Sequence, residues 1–127
     1  MGITQNFYAV EKKDVVNDFD FSDNHGSKYS WSEIASFSKE WPLYNWMYNL
    51  WKEKVGKDLH KHDLREEYLL LNQNDIHHLE EDFNDGKFKF DNEDKEVKEW
   101  LDERFREFLE TAKKCLAADF VIYYEVR

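Results

Sequence analysis

Three groups of side chains have types and spacings that could do chemistry. His60 and His62, in Leu59-His60-Lys61-His62, form an H-x-H pair. Two such imidazoles face the same way only on extended backbone, and a zinc site needs three or four ligands, with no third evident nearby. Asp18, Asp20 and Asp23, followed by Asn24-His25-Gly26, offer oxygen ligands for a hard cation. The order of ligands, early glycine and closing glutamate that a calcium loop requires is missing. A mobile acidic loop accounts better for the stretch from Asp14 to Lys28. His77 and His78 are adjacent, so on a helix they point about 100° apart and read as solvated. Cys115 stands alone behind Ala112 and Lys113, as a small core or helix-end residue rather than a nucleophile. No nucleophile–base motif or phosphate-cradling glycine loop accompanies these residues. The sequence therefore assigns no catalytic residue, cofactor or metal, and His60 and His62 stand as the metal candidates.

Recognition is the other chemistry on offer. Acidic residues outnumber basic ones 28 to 18, the net charge is −10, and aromatics make up 17% of the chain. That balance repels nucleic acid phosphates and anionic lipid, and favours a basic protein partner or simply high solubility. Glu96, Glu99, Glu103, Glu107 and Glu110 fall on one side of a helical pattern, with Glu99, Glu103 and Glu107 at its middle. Successive glutamates of such a row stand about 5–6 Å apart, on the scale of the phosphate repeat of DNA, so an acidic surface mimicking nucleic acid is one reading. A merely solvated helix face is the other. Tyr44 and Tyr48 form a second candidate contact, aromatic instead of charged.

The elements that must position these residues follow from periodicity and punctuation. Ile3 to Val10 alternates loosely and predicts a strand. Ser30-Trp31-Ser32-Glu33 has the form of a capping box, predicting a helix from Trp31 with Ile34 and Phe37 inward. Pro42, the single proline, marks a break into a second helix running to about Val55 and ended by Gly56. On that helix Leu43, Trp46, Met47, Leu50 and Trp51 share one side, and Tyr44, Tyr48 and Val55 widen it to roughly 200°, so it should be the central helix. Gly56 to Glu67 is a charged connection. Tyr68 to Leu71 reads as a short buried strand, and Asn72 with Asp75 as the cap of a helix carrying Ile76, Leu79 and Phe83. Asp85-Gly86 ends that helix. Phe88 and Phe90 alternate with lysines, as in a short edge strand or an aromatic flap. A long helix begins near Glu93, capped by Asp91 or Asn92, and buries Val97, Trp100, Leu101, Phe105, Phe108, Leu109, Ala112 and Leu116. Phe120 to Val126 is a strand by composition.

The order predicts a single α+β domain over residues 1–127. Its small, mostly antiparallel sheet includes both terminal strands, with about four helices packed on one face. No apolar run reaches the ~20 residues of a membrane span, and the start lacks a signal pattern. A cytosolic protein with no membrane association is the expectation.

With these elements placed, the chain resembles a family of small, mostly uncharacterised proteins from tailed-phage genomes and prophages. The resemblance rests on Met1-Gly2-Ile3 leading into an aromatic strand, and on Glu33 to Lys39 continuing through Leu43-Tyr44-Asn45-Trp46-Met47. It rests also on Leu71 to Asp82 and on the long helix ending in Tyr123-Tyr124. The family's Arg-Lys pair and histidines around the proline turn are replaced here by Ser38-Lys39, Glu40 and Tyr44. Its glycine- and phenylalanine-rich loop is reduced to Gly86-Lys87-Phe88-Lys89-Phe90. The resemblance implies the fold and a phage or host-cytosol setting, and no catalytic residue. The function it leaves is a non-enzymatic binding protein that modulates a host or phage protein. A small metal-dependent hydrolase using the histidine and aspartate loops is the alternative.

Overall fold

The alternation of residues 3–10 builds a strand at the centre of the sheet, and everything else is laid against it. The computed structural model describes residues 2–22, 31–90 and 92–127, with Trp31 described by its backbone alone. Strand β1 (Thr4–Glu11) pairs antiparallel with β4 (Trp31–Ser38) on one side and with β6 (Phe120–Val126) on the other. The short β5 (Leu69–Leu71) adds to β6, giving the order β4-β1-β6-β5. Helices α1 (Trp41–Val55), α2 (Gln73–Asn84) and α3 (Lys95–Ala117) complete the α+β architecture. The two terminal strands are thus neighbours, and their ends are closed by Thr4 and Arg127, which exchange both backbone hydrogen bonds at 3.0 and 2.9 Å.

Period-two alternation divides the sheet into two faces. Phe7, Ala9, Phe37, Leu69, Leu71, Ile122, Tyr124 and Val126 join the main core with residues of all three helices. Phe7 lies 4.3 Å from Phe108 of α3 and 5.3 Å from Tyr124, centroid to centroid. Tyr8, Val10 and Tyr123 point the other way, into a smaller cluster with Phe21.

That second face is covered by the segment expected as a mobile acidic loop. Residues 12–14 form a 3-10 turn, and β2 (Val15–Asn17) pairs with β3 (Asp20–Phe21) as a hairpin. The Tyr123 hydroxyl donates to the carbonyls of Asn17 (2.7 Å) and Asp20 (2.9 Å). The hairpin turn also seals the free edge of the sheet: Leu70 N–H donates to Asp18 O at 2.7 Å and Tyr68 N–H to Phe19 O at 3.1 Å. Sealing an edge strand in this way removes a template for aggregation. Asp18 and Asp20 serve here through their backbone. Asp23, and the Asn24-His25-Gly26 that follows, lie outside the described residues.

The helix expected from Trp31 is instead strand β4, so the described residues hold three α-helices, not about four. The residues explain the error. Ile34 and Phe37 are three apart, which imitates a helical face. The spacing arises from a bulge: Phe7 pairs with Ala35 but Tyr8 with Glu33, leaving Ile34 as the extra residue. Both Ile34 and Ala35 then pack on the main core. A bulge shifts the inward phase of a strand in this way, and Ser32, Ser36 and Ser38 are poor helix-interior residues in any case.

The strand-to-helix corner after β4 is tight. Lys39 and Glu40 both take positive φ, 66° and 40°, which costs a non-glycine residue roughly 1–2 kcal/mol. Gln5, fully buried, holds the corner. Its Nε2 donates to Lys39 O (2.7 Å) and Glu40 O (3.0 Å), and its Oε1 accepts from the Tyr124 hydroxyl (2.7 Å). Helix α1 starts from this corner with Pro42 in its first turn, and buries Leu43, Met47, Trp51 and Val55. Trp46 is half-buried, with its indole N–H donating to Asp82 at 2.8 Å. Lys54 of α1 reaches the Leu70 carbonyl and Asp75 (2.7 Å), fastening the helix to β5 and to the start of α2.

Asn72 and Asp75 form the capping box of α2 that the sequence predicts. The long helix is capped by Asp94, whose carboxylate accepts from Glu96 N–H at 2.9 Å. Asn92 supports that cap by accepting from Asp94 N–H, and Asp91 lies outside the described residues. Phe88 and Phe90 make neither strand nor flap. Both are buried against Phe105, at 5.2 and 5.4 Å.

Two outcomes test this framework. Gln5→Leu keeps the volume but strands the Lys39 carbonyl and the Tyr124 hydroxyl. It should cost about 2–6 kcal/mol in a urea melt, at 1–3 kcal/mol per unsatisfied buried group, and an unchanged midpoint would show that Gln5 does not hold the corner. Tyr8, Tyr123 and Tyr124 all ionise less readily than an ordinary tyrosine, chiefly because burial disfavours the phenolate. Their folded values lie above the unfolded 10.0, so their contribution is complete below about pH 10 and is lost as pH rises beyond it. In an alkaline titration their tyrosinate absorbance should appear only with unfolding. Free titration of all seven tyrosines while circular dichroism stays native would contradict this burial.

Candidate functional site

Helix α3 has one face that the fold uses and one that it does not. Leu101, Phe105, Phe108, Leu109 and Ala112 are buried, as the periodicity predicts. Val97 and Trp100 were expected on the same face, but they are 36% and 54% exposed. Their helical phase is right. The helix simply begins beyond the edge of the core, where residues 92–97 are all exposed. The Arg104 guanidinium lies 4.8 Å from the Trp100 ring. Arg104 is itself fixed, lying 5.2 Å from the Phe37 ring and donating to Ser36 O at 3.1 Å.

Beside Trp100 runs the acidic row. Glu96, Glu99, Glu103, Glu107 and Glu110 are all exposed. Two members of the row, Glu99 and Glu110, have a lysine beside them. Glu99 meets Lys95 at 4.0 Å, both well solvated, and Glu110 shares Lys113 with Glu80 of α2, at 3.0 and 2.6 Å. Among the described residues no cation lies within 4.0 Å of Glu103 or Glu107. An ion pair as exposed as Lys95–Glu99 holds its partners weakly, within about 1 kcal/mol, so Glu99 is available too. The structure thus places Glu99, Glu103 and Glu107 on one exposed surface, with Trp100 and Arg104 beside it. The sequence reading missed both. The signal for Trp100 was its place in the first two turns, ahead of the helix's contact with the sheet.

The other candidate surface lies on α1. Trp41, Tyr44, Tyr48 and Trp51 form a continuous ladder of rings, with successive centroids 5.6, 6.0 and 5.6 Å apart. Trp41 is 45% and Tyr48 36% exposed, Tyr44 is half-buried, and Trp51 closes the ladder inside the core. Lys52 Nζ sits 5.1 Å from the Tyr48 ring.

The titratable groups singled out for chemistry are dispersed. His60 is exposed within a 3-10 segment, Gly56–Lys61, while His62 is half-buried, its Nδ1 2.9 Å from Glu67 and its ring 4.5 Å from Phe19. Glu67 also accepts from the Trp51 indole at 2.6 Å, which fixes the carboxylate. His77 pairs with Glu81 at 2.7 Å and His78 with Asp82 at 3.4 Å, so the two histidines engage separate carboxylates. Among the described residues no group of three or more His, Cys, Asp or Glu side chains converges as metal ligands would. Burial pushes the Cys115 thiol up, away from the reactive thiolate. No helix among the described residues is long and apolar enough to cross a membrane.

No protein-family profile, curated protein or solved structure matches this chain.

The dispersion of the histidines generates a direct test. A ligand that binds only the folded state raises its melting temperature. Zinc, nickel, manganese and calcium should each leave the transition in differential scanning fluorimetry where it is. A rise with zinc that vanishes in the His60→Ala/His62→Ala variant would establish a metal site there.

Proposed function

We propose that the protein is a non-enzymatic binding module, of phage or prophage origin, that modulates a host or phage protein by docking the outer face of α3 onto a basic surface. The observation that carries this reading is Trp100, 54% exposed and braced by Arg104 beside the open glutamates. Tryptophan and arginine dominate binding hot spots, and a charged rim around them steers encounter. Exposing an indole gains the fold nothing, and the same side chain buried against a partner is strongly favourable. Glutamates about 5–6 Å apart along a helix are on the scale of a phosphate repeat, so a nucleic-acid-binding protein is the partner class the row suits. The hydrolase alternative draws less from the geometry, because each of His62, His77 and His78 already faces its own carboxylate. A second docking surface is favoured by the exposure of Trp41 and Tyr48 on α1.

A partner recovered by affinity capture from host lysate separates the two surfaces. Glu99→Gln/Glu103→Gln/Glu107→Gln should leave stability within about 0.5 kcal/mol per site while weakening binding and flattening its salt dependence. Trp100→Ala should weaken binding at every salt concentration, since apolar burial is little screened. Wild-type affinity and salt slope in the triple variant would mean that the row is only a solvated face. Loss of binding in Tyr44→Ala/Tyr48→Ala alone would move the contact to α1.

A further inference from the structure

We infer that the cleft between α1 and the segment leading into α3 binds a small phosphorylated molecule carrying a planar ring, of nucleoside monophosphate size. The cleft has a volume of about 640 Å³ and is walled by Lys87, Lys89, Lys98, Asn45, Asn49 and Trp46 among others. That volume falls in the ordinary range of ligand pockets, about 300–1,000 Å³. In a chain with 28 acidic residues against 18 basic, this wall holds three lysines and, among the described residues, no carboxylate.

The lysines are presented by a rigid frame. In Lys87-Phe88-Lys89-Phe90 the two rings are buried, Phe88 against Phe83 (5.7 Å) and Phe90 against Phe37 (5.8 Å), so the alternating lysines face outward. The Lys89 stem runs across Gly86, which has φ +73° and where a Cβ would stand 3.1 Å from Lys89 Cε. Glycine takes that turn without strain and leaves room for the Lys89 stem. Lys87 is 3.9 Å from Asp82, which also accepts the Trp46 indole N–H and so fixes the plane of that ring. Lys89 and Lys98 have no ion-pair partner among the described residues. Lys98 breaks a local rule as well. It is half-buried in the first turn of α3, where the helix dipole disfavours a cation and favours an anion. A bound phosphate beside it would offset the unfavourable charge at this end of the helix.

The ligand class follows from what surrounds these charges. The amides of Asn45 and Asn49 offer donors and acceptors to the polar edge of a heterocycle, and the Trp46 ring offers it an apolar face. The net charge of −10 disfavours a nucleic acid strand, whose further phosphates would run over the acidic remainder. A single small anion fits its whole charge within the cleft. This site is separate from the α3 surface and neither reading depends on the other.

Titration with AMP, GMP, CMP, UMP and inorganic phosphate, followed by tryptophan fluorescence and amide NMR, tests the assignment. At least one nucleotide should bind saturably and more tightly than inorganic phosphate, shifting the Trp46 indole and Gly86 resonances. Lys89→Ala/Lys98→Ala should lower that affinity at least tenfold while keeping the wild-type melting temperature, because neither side chain has an ion-pair partner among the described residues. Lys89→Arg/Lys98→Arg should retain binding. Absence of saturable binding at millimolar concentration of all five probes would overturn the proposal. So would binding unchanged in the alanine variant, or phosphate binding as tightly as every nucleotide.

Discussion

A buried glutamine decides how this chain turns from sheet to helix. Gln5 sits in the central strand, yet its side chain reaches the corner between β4 and α1 and the hydroxyl of Tyr124 in β6. Two successive non-glycine residues in left-handed backbone are an unstable way to leave a strand. The corner persists because Gln5 gives both its amide hydrogens to the carbonyls it exposes. With all of its polar atoms satisfied, the glutamine is buried without the penalty of an orphaned group. The direction of α1, and with it the ladder from Trp41 to Trp51 and one wall of the lysine cleft, follows from that anchoring.

The second organising feature is the clustering of phenylalanine. Phe7, Phe37, Phe83, Phe88, Phe90, Phe105 and Phe108 are within ring-contact distance of one another along a chain of pairs. They join Phe88 and Phe90, which follow α2, to the sheet and to α3. Rings lock α3 from Leu101 onward. Its first turns pass outside this cluster, which leaves Trp100 in solvent and gives Lys98 a half-buried place beside the cleft. Both surfaces argued to bind something therefore come from the same fact: the core ends before the helix does.

Periodicity and capping residues made much of this legible. β1, α1, β5, α2 and β6 lie where alternation, Pro42, Gly56 and the Asn72–Asp75 box place them. The strand at Trp31–Ser38 was hidden because one bulged residue turns an alternating pattern into a spacing of three. The hairpin at residues 15–21 was hidden because its anchors are backbone carbonyls received by Tyr123, Leu70 and Tyr68, and no side-chain pattern announces those. The acidic row was readable from helical spacing alone. Trp100 was not, because spacing gives the direction of a side chain but not whether anything stands opposite it. The lysine cleft was missed for a similar reason: Asn45 and Asn49 lie some forty residues from Lys87 and Lys89, and only the fold brings them together.

The central claim is that the exposed face of α3 is the partner contact, and photocrosslinking from within the cell addresses it most directly. With p-benzoylphenylalanine in place of Trp100 and, in a separate variant, in place of Tyr48, each surface reports its own neighbours. The account predicts a specific adduct from position 100 with one basic protein, reduced by raised salt before irradiation in lysate, and no matching adduct from position 48. An adduct formed from position 48 alone would contradict it.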